Sequence, residues 1–205
     1  CYMAYTQSIR GEHSAASAAQ KAAIAHANTL NHPFSTAWAL CFPAVVSTFR
    51  GEAWGALRLS SAALDHTSNQ VMPFWQTAMT IVHGWATARC GDVEAGLAEC
   101  KAGLDIYAAI GSKTVQPFFR GLMADCYALA GQENEALAML QSGLDLAEET
   151  GELISTVILH KMTAELGDGD IYDAETRQQP LINSIELARK TCALSLELHA
   201  AYLLA

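Results

Sequence analysis

The chain has 205 residues, 51% hydrophobic and 16% charged. That composition can bury a core and is the opposite of the low-hydrophobicity, high-charge mix that stays disordered. Its formal charge of -9 repels phosphate backbones, so nucleic-acid binding by this segment is disfavoured. It contains no uncharged apolar run of about 18 residues, so a membrane span is not expected.

Alanine is abundant and proline scarce, which favours helix. Taken in chain order, residues 1–10 read as the end of a first helix cut short, because the chain opens on Cys1-Tyr2-Met3 and reads as a fragment of a longer protein without a signal peptide. Gly11 then marks a tight turn, and a helix is expected over 12–29. A helix over 34–50 follows, with Pro43 inside it, where a missing N–H should kink or split it. The next turn is at Gly51, leading into a helix over 52–67. A helix over 73–90 ends at Gly91, and one over 92–110 ends at the longer loop Gly111-Ser112-Lys113. Helices over 117–130 and 132–149 flank Gly131. A further helix is expected over 153–166, then a loop at Gly167-Asp168-Gly169-Asp170. Two last helices are expected over 180–191, with Pro180 at its start, and over 193–204.

Gly11, Gly51, Gly91 and Gly131 stand 40 residues apart, and their flanks agree. Thirteen residues after each glycine come Ile24, Leu64, Leu104 and Leu144; one residue earlier come Ala23, Ala63, Gly103 and Gly143, all small. Glu52, Asp92 and Gln132 follow their glycines directly, as acceptors suited to a helix start. Pro33-Phe34, Pro73-Phe74 and Pro117-Phe118 open alternate helices, where the missing proline N–H costs nothing. The unit is therefore helix A, a glycine turn, helix B and a loop. A lone pair of this kind cannot bury both apolar faces, so stacking of neighbours is implied. The expected architecture is one all-α repeat domain over 1–205, an α-α superhelix of antiparallel pairs. The small residues at 63, 103 and 143 should let helix B approach a neighbouring helix A closely.

No catalytic signature accompanies the repeat. Phosphate-loop, Gly-x-Ser-x-Gly and His-Glu-x-x-His patterns do not occur, so neither a cofactor nor a metal is expected. His26 and His66 are repeat-equivalent and would lie one unit apart, too far to share a metal. Asp168, Asp170 and Asp173 lack the ligand spacing of a calcium loop. The six cysteines form no Cys-x-x-Cys pair and read as small buried hydrophobes of a reducing cytosol, with disulfides or a metal site as the alternatives.

The stretch Tyr127-Ala128-Leu129-Ala130-Gly131-Gln132-Glu133-Asn134-Glu135-Ala136 resembles the tetratricopeptide pattern of an aromatic, three residues, Gly and then Glu-Ala. Gly84-Trp85-Ala86, Gly103-Leu104, Pro117-Phe118-Phe119 and Gly131, in that order, are similar to a narrower group. This is the C-terminal tetratricopeptide-like arm of bacterial adenylate-cyclase-like proteins with an ATPase module and of maltose-regulator-like transcription activators. The resemblance covers residues 30–205. It departs at Glu152–His160, where Leu153-Ile154-Ser155-Thr156 replaces an aromatic-rich segment, and in the alanine-heavy unit at 11–29.

The resemblance implies a cytoplasmic, non-catalytic regulatory arm that binds a protein, a peptide or another domain of its own chain. Any cyclase or ATPase chemistry would lie elsewhere in the parent. It also implies a concave groove lined by the A helices. Distance from each turn glycine then selects Trp38, Val45 and Phe49; Ile81, Trp85 and Arg89; and Phe118 and Asp125. Aromatic and arginine side chains are the usual interface anchors, but an aromatic at helical spacing can equally be core. Arg89, the hardest of the set to bury, is the best single groove candidate. Two rival readings are a small-molecule sensor with a closed apolar pocket and an enzyme on a helical scaffold.

Overall fold

The computed structural model describes residues 1–68, 72–166 and 174–205, with side chains in the last stretch from 178 onward. These residues form helices and turns, with no strand among them. The helices are α1 (Tyr2–Ile9), α2 (His13–Leu30), α3 (Pro33–Phe49), α4 (Ala53–Ser68), α5 (Pro73–Arg89), α6 (Val93–Ala109), α7 (Gln116–Leu129), α8 (Glu133–Thr150), α9 (Leu153–Leu166), α10 (Ala174–Lys190) and α11 (Leu194–Leu204). The chain is an all-α helical-repeat arrangement in which successive helices pack on one another from α2 to α6 and from α7 to α11. Backbone packing groups it into two compact units, Cys1–Ser8 with Glu12–Gly111, and Ile9–Gly11 with Ser112–Ala205.

The period is written in the turns. Gly11, Gly51, Gly91 and Gly131 have φ of 82°, 67°, 115° and 71°, a region glycine enters without Cβ strain. At each one the following amide reaches back five residues: Glu12 N to Gln7 O, Glu52 N to Ser47 O, Asp92 N to Thr87 O and Gln132 N to Tyr127 O, at 2.8–3.2 Å. These bonds satisfy carbonyls that a helix end leaves open. The Asp92 carboxylate also accepts from Ala95 N at 3.2 Å, capping α6. The proline markers hold as well, since Pro33 and Pro73 open α3 and α5, and Pro117 lies in the first turn of α7.

A turn of the same kind joins α10 to α11 without glycine. Ala193 N bonds Ala188 O at 2.8 Å, and Cys192 holds φ 55°. A residue with a Cβ pays a steric penalty there, so Cys192→Gly is expected to raise stability by about 1 kcal/mol. Thermal denaturation reads this directly, and a destabilised variant would contradict the assigned turn.

One proline expectation is narrowed and another needs correction. α3 runs unbroken through buried Pro43, so the helix is not split. One backbone bond is lost, but the bonds of the flanking turns and the burial of the ring hold the helix together. The helix expected over 180–191 begins earlier, at Ala174, with Pro180 inside it; proline had been read there as a first-turn marker. The cysteine expectation also divides. Cys41, Cys100 and Cys126 are buried, Cys1 and Cys90 half-buried and Cys192 exposed, with no disulfide among them. Burial pushes the Cys41 thiol up to about 12. The expected loop at 167–170 and the acidic cluster Asp168, Asp170 and Asp173 lie outside the described residues.

In the first unit α5 and α6 meet almost backbone to backbone. A Cβ at Gly84 would lie 2.6 Å from Cys100 N, and one at Gly103 would lie 2.8 Å from Ile81 Cγ1. In the second unit Leu159 of α9 fills the space between α7 and α8. It packs with Ala124, Ala136, Leu140 and Ala147 and sits over Gly121 and Gly143. Polar bonds fix the ends of these helices: Glu152 accepts from Val115 N at 2.7 Å and from Ser155 Oγ at 2.8 Å. Ser184 Oγ of α10 donates to Val157 O at 2.9 Å. A further cluster, Ala164, Leu181, Ile185 and Ala200, joins α9, α10 and α11.

Candidate interaction surface

The first unit carries a network of aromatic rings across α1, α3 and α5. Phe34, Trp38 and Phe42 follow one another at i, i+4 and i+8, which places them on one face of α3. Trp38 stands at the centre. Its ring lies 5.7 Å from Phe42 in a stacked pair, 5.1 Å from Trp75, 5.6 Å from Tyr2 and 5.7 Å from Phe34. Tyr5 joins Phe42 to Phe49, the latter at 5.6 Å. Phe74 carries the network on to buried Tyr107. Ring pairs in tilted, edge-on and offset arrangements at 4.5–7 Å, the range seen here, hold one another in place.

The network is not sealed. Tyr2 is 63% exposed and Phe34 46%, while Trp38, Phe42, Phe49 and Trp75 are half-buried. Rigid aromatic surface of this kind offers contact area at little entropic cost. Of the residues selected from sequence, Trp38 and Phe49 fall within it. Tyr2, Phe34, Phe42 and Trp75 were missed. The signal that could have found three of the six outer rings is the four-residue spacing of Phe34, Trp38 and Phe42, which distance from the turn glycine passes over.

Three of the selected residues are core instead. Ile81 is fully buried, and Trp85 and Phe118 are each 3% exposed. For Ile81 the cause is visible: α6 approaches so closely through Gly103 that Ile81 fills the contact. Asp125 is also buried and Val45 half-buried, whereas Arg89 is exposed at the end of α5. The structure therefore brings Trp38 and Phe49 into one surface and takes Ile81, Trp85, Phe118 and Asp125 out of solvent.

The titratable groups are dispersed in pairs. His83 Nδ1 of α5 lies 2.8 Å from Glu99 Oε2 of α6, both half-buried. The hydrogen bond to Glu99 raises the His83 pKa from its ordinary 6.5, against a smaller opposing effect of burial. The bonded, protonated ring thus adds stability that is complete below pH 6.5 and is lost as pH rises through the raised value. His83→Gln is expected to lose stability relative to the parent at pH 6 and to converge with it at high pH. Denaturant midpoints across that window check this, and a constant gap would contradict it. On α9 and α11, Lys161 Nζ and His199 Nε2 approach Glu165 Oε1 at 3.1 and 3.8 Å. Burial, then Lys161, lowers the His199 pKa. Among the described residues no group of three or more His, Cys, Asp or Glu side chains is placed to hold a metal. His66 Nε2 lies 3.0 Å from the Pro33 carbonyl.

A cleft between α1, α2 and α3 is lined by Tyr5, Gln20, Ala23, Phe42, Pro43 and Val46 among others. No described helix is long and apolar enough to cross a membrane.

Fold and surface together define an all-α helical-repeat protein with an open aromatic face. No family model matches the chain. It is similar, at 25% identity over 158 residues, to an uncharacterised protein of Rhizobium meliloti (strain 1021). The match covers 77% of this chain and 15% of that protein's length, so the chain spans a small part of the relative it matches.

Proposed function

We propose that this chain is a non-catalytic, tetratricopeptide-like scaffold that binds an apolar peptide or helix of another protein, as an arm of a larger bacterial regulatory protein. The observation that carries the reading is the aromatic network of α1, α3 and α5, with its outer rings in solvent and its inner rings fixed by one another. An extended or helical segment with aliphatic or aromatic anchors suits such a face.

Display of random peptides against the immobilised protein tests it. Peptides with large apolar anchors are expected to be enriched. The doubly substituted Tyr2→Ala, Phe34→Ala protein is expected to bind them at least about tenfold more weakly, with its helix content unchanged. Enriched peptides that bind the double variant as well as the parent would overturn the assignment.

A further inference from the structure

The aromatic face of α1, α3 and α5 has a chemical bias that narrows what it binds. The chain as a whole is 16% charged, yet α1 and α3 carry no Asp, Glu, Lys or Arg, and α5 carries none before its last residue, Arg89. A charged group laid on these helices would lose water and gain no counter-charge. The face therefore selects against charged side chains at the points of contact.

It does offer hydrogen-bond donors. Trp38 and Trp75, with rings 5.1 Å apart, are both half-buried. Among the described residues neither indole N–H has an acceptor, and neither nitrogen is sealed from solvent. An indole nitrogen only donates. The Tyr2 hydroxyl, on a residue 63% exposed, also has no partner among the described residues. Against these donors, α1 and α3 hold no carboxylate to receive an N–H from a partner. The best complement is thus a chain with open carbonyls and few N–H groups. An α-helix fits poorly, because its carbonyls are bonded internally except in its last turn. A strand-like peptide brings one N–H for every carbonyl. A proline-rich segment brings open carbonyls, no N–H at each proline and flat apolar rings already held in place.

We infer that this face binds an uncharged, proline-rich segment in the polyproline II conformation. Its proline rings lie on Phe34, Trp38 and Phe42, and the Trp38 and Trp75 indoles donate to its carbonyls. The inference rests on the peptide-binding reading of the face and narrows it to one class of peptide. From Phe34 to Phe42 the α3 axis advances about 12 Å, the length of about four polyproline II residues, so a short proline run covers it.

Titration of the nitrogen-15-labelled full chain with an end-capped decaproline peptide tests this on the tryptophan indole signals. Those of Trp38 and Trp75 are expected to move to saturation. That of Trp54, 74% exposed on α4 and outside the ring network, is expected to stay in place. Trp38→Phe and Trp75→Phe each keep a ring and remove the donor, and each is expected to bind roughly three- to tenfold more weakly, with circular dichroism unchanged. Undiminished binding by either folded variant, or equal movement of Trp54, would overturn the inference. A leucine-rich helical peptide and phosphatidylcholine vesicles are titrated alongside. A helical peptide that moves the two indoles at equal or lower concentration would overturn the proline assignment and leave the peptide-binding reading standing. Movement with vesicles and with neither peptide would overturn both, and no movement with any of the three would overturn the inference.

Discussion

Gly96→Ala is expected to destabilise the protein by about 2–3 kcal/mol, although alanine is the better helix former by about 1 kcal/mol. A Cβ at position 96 would run into Ala88 N, Gly84 O and the Ala88 side chain. Backbone atoms cannot rotate aside, so α5 and α6 would have to separate. That movement loosens the contacts of Ile81 and Gly103 along the same seam. Gly55→Ala is the control. Its nearest neighbour would be Ser47 Oγ at 3.5 Å, an ordinary contact, so this variant is expected to be neutral or more stable by up to about 1 kcal/mol. Urea denaturation of both variants reads the contrast. A Gly96→Ala protein as stable as the parent would mean that the two helices do not meet through their backbones.

Leu159→Ala is expected to cost more, about 3–5 kcal/mol. Leu159 has no exposed surface and closes the core between α7, α8 and α9. Its methyl groups lie against the backbone at Gly121 and Gly143, positions with no side chain of their own to fill a void. The cavity left by alanine therefore has rigid walls, which puts the cost towards the upper end of the range for leucine truncation. Leu198→Ala, on a side chain 63% exposed, is expected to change stability by less than about 0.5 kcal/mol. Equal losses at the two sites would show that burial in the second unit is wrongly placed.

Much of the fold was legible because glycine and proline report backbone conformation locally. A positive φ at Gly51, Gly91 and Gly131 needs no knowledge of the rest of the chain, and it fixed the helix ends to within a residue or two. Pro180 misled because the same residue is tolerated inside a helix when the neighbouring turns carry the load, and Cys192 hid a turn because a cysteine can occupy the glycine conformation at a cost. The interaction surface was less legible. Trp85 and Trp38 are the same residue type on A helices, yet one is core and the other is half-open. That difference depends on how closely the next helix approaches, set for α5 by Gly84, Gly96 and Gly103 acting together. Position relative to a turn describes a helix face but not the depth to which a neighbour covers it.

The molecule stands or falls on helices held in close register by small residues at repeat-equivalent places, and the α5–α6 seam is its tightest instance. A nuclear Overhauser measurement between the Hα protons of Gly84 and Gly96 probes that seam at a single point. A strong cross-peak is expected between them, since a methyl-sized group at either position would overlap the other's backbone. Resolved glycine signals with no cross-peak would place the two helices apart and contradict the repeat packing described above.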